Sequence, residues 1–386
     1  MAKDISKAAL GRSFTGEAIA LHKKLGGKIR IEGTMKVKSR EELSLIYTPG
    51  VAAVSSLVAK NPKLARDYTI KGRMIAVISD GSAVLGLGNI GALGALPVME
   101  GKCALFKTFA GVDAFPIVLD TQDPEEIIRT VAIIAPVFGG INLEDIAAPK
   151  CFYIEDKLKS ILDIPVMHDD QHGTAIAVLA ALLNAAKVVK KDFKKLKVVV
   201  SGAGAAGTAV TKLLVKAGIK DVVVLDSRGV LDGARTEEHK KYLVKHTNPR
   251  KITGGLRDAL LGADALLGVS GPNLAGAEDV RLMAPRAIVF AMANPTPEIT
   301  PEEAKKGGAM VVGTGRSDYP NQINNSLVFP GLFRGALDHK VRKITDEMKL
   351  KAAHNLASLV KKPTSDKIIP GPFEKGVSEA VAKSVR

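Results

Sequence analysis

Lys197-Val198-Val199-Val200-Ser201-Gly202-Ala203-Gly204-Ala205-Ala206-Gly207 is the stretch on which the reading of the fold turns. Its unbroken β-branched run predicts a buried strand. The glycines match G-x-G-x-x-G, and a helical pattern follows over residues 205–217. A second β-branched run, Asp221-Val222-Val223-Val224-Leu225-Asp226, ends in an acid 19 residues after Gly207. Strand, glycine turn, helix, strand and closing acid make up the full dinucleotide-binding fingerprint. Gly202 makes the tight turn, Gly204 lets the backbone approach a pyrophosphate, and Gly207 lets helix and strand pack closely. With Ala203, Ala205 and Ala206 they present free N–H groups at a helix start, where the dipole favours phosphate. Asp226 is placed to accept hydrogen bonds from the adenosine ribose. A carboxylate there favours NAD, because it repels a 2′-phosphate. Arg228, two residues on, could pair with that phosphate, which keeps NADP open as the alternative.

Strand and helix patterns alternate on both sides of this unit. Downstream, strands are expected at 263–269, Ala287–Ala291 and 309–313, and the chain from Gly331 on reads as helical and Lys-rich. Upstream, a long Ala- and Leu-rich helix spans 171–191. Before it come strands at Met74–Ser79 and 115–120, with a helix over 90–109 between them, and an amphipathic helix at 18–25. Asp123-Pro124-Glu125-Glu126 is a helix start, with a capping Asp, Pro in the first turn and acids near the positive dipole end. Such alternation argues an α/β protein with a mostly parallel sheet covered on both faces. We divide it into an N-terminal α/β domain, 1–163, and a Rossmann-like dinucleotide-binding domain with C-terminal helices, 164–386.

At 386 residues, with 46% hydrophobic and 25% charged residues, the chain has enough material for two cores and is no disordered protein. Its apolar runs fall short of the ~18–20 residues of a membrane helix, and residues 1–10 show no apolar targeting core. Two cysteines, Cys103 and Cys151, make no disulfide framework, so a reducing cytoplasm is expected. The net charge of +15 with only 4% aromatics reads mainly as solvated Lys-rich faces. Stacking platforms for nucleic acid are poorly supplied.

Gly86-Leu87-Gly88-Asn89-Ile90-Gly91 also fits the glycine pattern, but no acid closes its following strand. It reads as a packing or substrate loop. Glu144-Asp145 follows one apolar stretch, and His168-Asp169-Asp170-Gln171-His172 precedes the long helix. Carboxylate pairs at strand ends are costly to gather unless a cation compensates, which suggests a hard Mg²⁺ or Mn²⁺ site. The competing reading is ordinary helix N-capping by Asp169 or Asp170. His168 and His172 stand i, i+4, yet the acids between them and the lack of nearby Cys argue against zinc. Tyr47, in Tyr47-Thr48-Pro49-Gly50, reads from the residues alone as a structural turn. Lys102, in an apolar helix, either snorkels or is a base with a depressed pKa.

Taken together these segments resemble the malic enzyme family over nearly the whole chain. Tyr47-Thr48-Pro49, Gly86–91, Gly101-Lys102, Glu144-Asp145, Asp169-Asp170-Gln171-His172-Gly173-Thr174, the nucleotide loop, Asn294-Pro295-Thr296 and Asn324-Asn325 stand in the family order. The length resembles the short prokaryotic form, without the phosphotransacetylase-like extension of some members. The resemblance implies Tyr47 as general acid, Lys102 as general base with Asp169 beside it, and Glu144, Asp145 and Asp170 as metal ligands. It implies Asn294 and Asn325 at substrate and nicotinamide, with Asn324 near. One departure matters: the Arg by which long forms grip a malate carboxylate is absent from Gly81-Ser82-Ala83-Val84.

The implied reaction is metal-dependent oxidation and decarboxylation of malate to pyruvate and CO₂ with reduction of NAD or NADP. Oxaloacetate decarboxylation is the expected side activity. Malolactic conversion, with NAD retained, and a plain hydroxy-acid dehydrogenase are the neighbouring alternatives. A nucleic-acid binder is the alternative of another class, and the acids at 144, 145, 169 and 170 oppose it. The expected partners are small molecules, without nucleic acid or membrane, in a homodimer or a multiple of dimers.

Overall fold

The computed structural model describes residues 15–386. The stretch 1–10, read above for targeting, lies outside the described residues. The first sheet has the order β2-β1-β3-β4, with β1 (Met74–Ser79), β2 (Asp113–Val118), β3 (Gly140–Leu143) and β4 (Val166–His168) all parallel. β1 is buried from Ile75 onward. Both faces of a parallel sheet are covered, so the strand reads as one apolar run rather than an alternation. Ile78 of β1 pairs with Leu143 of β3, and Leu143 with His168 of β4. This register brings Glu144 and Asp169 to the same sheet end.

The second sheet contains β5 (Lys197–Ser201), β6 (Asp221–Asp226), β7 (Gly229–Val230), β8 (Ala265–Gly268), β9 (Ala287–Ala291) and β10 (Ala309–Thr314) in the order β10-β9-β8-β5-β6-β7. All neighbours are parallel except β6 and β7. The chain leaves β5 towards β6 on one side and returns to β8 on the other. That reversal opens a crevice at the C-terminal end of β5, where Gly202 begins the loop. Gly202 has φ +121, and a Cβ there would sit 2.6 Å from the Val269 carbonyl. A Cβ on Gly207 would collide with the Gly202 carbonyl, whereas Gly204 faces open space. The close approaches at Gly202 and Gly207 are the tight turn and the close packing expected of them.

Helix Asp169–Val188 is the spine between the sheets, with Ala175 to Leu182 all buried. Asn184 on it donates to the Ala357 and Ile368 carbonyls at 2.8 and 2.9 Å, tying down the C-terminal segment. Helices Phe329–Asp338 and Val377–Ala382 return to the first domain. Phe106 of helix Gly91–Ala110 meets Phe329 and Phe333 edge-on, with centroids 4.7 and 5.6 Å apart.

Several expectations shift. The strand expected at 115–120 starts at Asp113, because Asp113 and Ala114 pair with Met74 and Ile75. The long helix starts at Asp169 and ends at Val188. Residues 166–168, counted above with the second domain, form the edge strand of the first sheet. Three residues are too few to show a period. Helices Thr15–Leu25, Arg40–Ile46 and Val51–Lys60 contain no buried residue.

Candidate active site

Lys102 projects from helix Gly91–Ala110 into the end of the first sheet and is 8% exposed. Its Nζ lies 2.8 Å from Asp169 Oδ2 and 2.8 Å from Glu144 Oε1, and 4.3 Å from the centroid of Phe329. Glu144 is also held by Asn142, whose Nδ2 donates at 2.9 Å. Asn142 lies on β3 and Glu144 directly follows its end, two residues on, a spacing the sequence could have shown. The Asp145 N–H donates to Asp170 Oδ2 at 2.8 Å. Oxygens of Glu144, Asp145 and Asp170 all lie within 4.8 Å of one another, the grouping expected from the sequence.

Four carboxylates therefore face one lysine. Burial pushes Asp145 up to about 9, helped by Asp170 and Glu144. It pushes Asp169 up to about 7 and Asp170 to about 6, against the pull of Lys102 in each case. Burial works against the Lys102 ammonium too, but Asp169, Glu144 and Asp170 outweigh it and hold the lysine above its ordinary range. With no ion at the cluster the lysine is thus held up rather than depressed. The apolar helix does bury the lysine, but the acids at the strand ends decide its charge.

The histidines do not converge. His168 Nε2 lies 3.4 Å from Asp170, while His172 Nε2 lies 3.0 Å from the Glu155 carboxylate. Burial lowers His168 and takes His172 down to about 4. Both are packed side chains behind the acids, as the sequence favoured over zinc.

Lys102, Glu144, Asp145 and Asp170 line a cavity of about 550 Å³ together with Gly204, Ala205, Ala206, Asn294, Asn324 and Asn325. The second glycine loop reaches the same wall. A Cβ on Gly86 would collide with the Asn294 carbonyl, so this loop serves packing at the cleft, as expected. Lys102 is the sole cation among the described lining residues. Among the described lining residues no other cation takes the place of the missing Arg. Asn294, Asn324 and Asn325 are left as neutral donors for a carboxylate. Tyr47 is not among the lining residues, and its side chain is 65% exposed.

A second cavity of about 810 Å³ continues from the first through Ala148, Gly204, Val269, Ser270 and Gly271. Gly202, Ala203 and Asp226 line it. Asp226 is clamped. Arg235 donates through Nε at 3.2 Å and Nη2 at 3.0 Å, Lys240 at 3.1 Å, and the Arg228 N–H at 2.9 Å. Burial opposes the charge, but these donors hold Asp226 well below the usual carboxylate range. The Arg228 guanidinium is more than half exposed and 3.7 Å away. The sequence pointed to Arg228. Buried Arg235 and half-buried Lys240, from a loop and helix beyond β7, are the partners it missed, Lys240 having been counted with the solvated lysines.

The family model for the malic enzyme N-terminal domain matches residues 26–159, and that for the malic enzyme NAD-binding domain matches 171–385. A bifunctional malic/malolactic enzyme from Bacillus subtilis is 51% identical, covering 97% of this chain and 92% of its own length. An NAD-dependent malic enzyme from Geobacillus stearothermophilus is 54% identical, covering 94% and 76%. The crystal structure of the NAD-dependent malic enzyme of Thermotoga maritima superposes with a TM-score of 0.93 at 48% identity, covering 95% of this chain and 98% of that one.

Proposed function

The chain belongs to the malic enzyme family, and we propose that, as an NAD(P)-dependent malate oxidoreductase, it converts (S)-malate to pyruvate and CO₂ with NAD preferred. The observation that carries this reading is Lys102, shared at 2.8 Å between Asp169 and Glu144 beside a three-carboxylate cluster, in a cleft continuous with the dinucleotide cavity.

The cluster fits a hard divalent cation. Asp145 Oδ2 is buried without a hydrogen-bond partner, and the three acids supply oxygen ligands only, as Mg²⁺ or Mn²⁺ prefers. Glu144, Asp145 and Asp170 would hold the ion. Bound there, it would polarise the substrate's C2 oxygen as a Lewis acid and stabilise the enolate left after CO₂ departs. Gly202, Ala203 and Gly204 would hold the dinucleotide, whose nicotinamide would supply the hydride acceptor for C2.

The chain's own groups do the rest. Asn294, Asn324 and Asn325 orient the substrate carboxylates without adding charge. Lys102 takes the C2 hydroxyl proton. It becomes competent as a base when Glu144 and Asp170 are engaged as ligands and Asp169 alone supports its charge. After the C3–C4 bond breaks, C3 of the enol must receive a proton, and we assign that step to Tyr47. The same groups would decarboxylate added oxaloacetate. Asp226, with both oxygens oriented by cations, accepts from ribose hydroxyls and so favours NAD. Two buried, unpaired cysteines suit a reducing cytoplasm.

The test is to mix protein, L-malate and Mn²⁺ with NAD or NADP, and to measure reduced cofactor, pyruvate and lactate. The reading expects NADH and pyruvate in equal amounts, faster than with NADP. Lactate without NADH would replace it with malolactic chemistry, one of the activities in the Bacillus relative's name. NADH without pyruvate would leave a plain dehydrogenase.

A further inference from the structure

Helix Asp169–Val188 turns Asp170 and Thr174 to the cleft and Gln171, His172 and Ala175 to a separate cavity of about 310 Å³. Helices of both domains meet around it. Four lysines line it: Lys159 from helix Lys150–Ile161, Lys212 and Lys216 from helix Ala205–Lys216, and Lys349 from helix Asp346–Ser358.

The acids there are fewer than the ammoniums. Lys216 and Lys349 share Asp346, the second at 3.0 Å. Lys159 lies 2.7 Å from Glu155, whose carboxylate also meets His172. Asp156, the remaining acid of the lining, is exposed. Among the described residues Lys212 makes no ion pair, and its Nζ lies 4.9 Å from the centroid of Tyr242. Lys349 is only 5% exposed. Burial lowers both Lys349 and Lys212, so each ammonium is held there at a cost that an anion would offset. The described lining has no Arg, whose planar fork suits a carboxylate. Lysines approaching from three helices act as point charges and suit a tetrahedral phosphate.

We propose that this cavity is an anion site distinct from the glycine loop, taking a small multivalent phosphate, inorganic or organic, across Lys159, Lys212, Lys216 and Lys349, and that its occupancy is felt in the cleft. Glu155 makes the connection. Its buried carboxylate accepts from the His168 N–H at 2.9 Å and from Gln171 Nε2 at 3.3 Å, and it meets His172 Nε2 at 3.0 Å. These three residues flank Asp169 and Asp170. An anion that draws Lys159 away from Glu155 loosens the hold on that stretch and slows the reaction. The coupling rests on the activity proposed above; the site itself does not.

Metal-free protein saturated with NAD is titrated with pyrophosphate in a calorimeter, NAD keeping the glycine loop filled. One pyrophosphate per chain is expected. Lys212→Ala with Lys216→Ala should weaken it by about tenfold or more, the worth of lost charge-assisted bonds. Unchanged NAD affinity reports that this variant is folded. Lys194→Ala with Lys195→Ala removes two exposed lysines elsewhere and should leave binding as it was. No binding to wild type, or an equal loss in both double variants, would overturn the site. Whichever of pyrophosphate and glycerol phosphate binds more tightly assigns the ligand as inorganic or organic. At fixed free Mn²⁺, saturating pyrophosphate should slow malate oxidation by wild type about fivefold or more and leave the Lys212→Ala, Lys216→Ala chain unaffected. No slowing of wild type, or equal slowing of both, would overturn the coupling.

Discussion

Acids end parallel strands in both domains, yet the two groups of acids live in opposite electrostatic conditions. Asp226, at the end of β6, has Arg235, Lys240 and a backbone N–H on its oxygens and is held well below its ordinary range. Glu144, Asp145, Asp169 and Asp170, at the ends of β3 and β4, share Lys102 and are all pushed up. The first site is electrostatically complete and suits a neutral partner, the ribose hydroxyls. The second has surplus negative charge and an orphaned Asp145 oxygen, which is what the proposed divalent cation would satisfy. An acid at a strand end does not define its ligand. The count of cations around it does.

The comparison is broken most severely by deleting the shared cation. Lys102→Ala should lower malate oxidation by about a hundred- to ten-thousand-fold, the range for a positioned base. The affinity for NAD, measured by fluorescence titration, should stay unchanged. Next comes Asp226→Ser, which leaves Arg235 and Lys240 facing the ribose without their carboxylate. It should move the NADP-to-NAD ratio of kcat/KM by about ten- to a hundred-fold towards NADP, the worth of charge-assisted bonds to a phosphate.

Asp145 tests the surplus charge through stability. A carboxyl raised to about 9 keeps its proton in the folded chain and loses it on unfolding, so the metal-free protein should lose stability as pH rises from 6 to 9. Ionised carboxylates bind Mn²⁺ and protonated ones do not. The rise in melting temperature on adding Mn²⁺ should therefore grow over the same interval. Asp145→Asn should melt higher than wild type without metal and respond little to Mn²⁺. The smallest effect is expected from Arg228→Ala. Its guanidinium is exposed and distant, and the cofactor ratio should change by less than about threefold.

Where chemistry is local in sequence, it was legible. The glycine loop, the closing Asp226 and the Asp123 cap each obey short-range rules, and the cap bonds to the Glu125 and Glu126 N–H groups as expected. The three acids could be listed, but only register between β1, β3 and β4 brings them within 4.8 Å. Arg235 and Lys240 lay beyond reach because a loop of no fixed period folds them back onto Asp226. The direction of the lysine's shift without a bound ion lay beyond reach for the same reason. Helix periodicity shows burial, whereas the neighbours that outweigh burial come from other strands. Tyr47 is the sharpest case: its motif was plain in the sequence, yet it lies outside the cleft lined by its own chain.

On the proposed function the Glu144–Asp145–Asp170 cluster works only with a divalent cation. The most direct measurement follows NADH and pyruvate from L-malate before chelation, after chelation with EDTA, and after restoring Mn²⁺. Both products should stop together and return together. Continued formation of NADH and pyruvate in excess EDTA would contradict it.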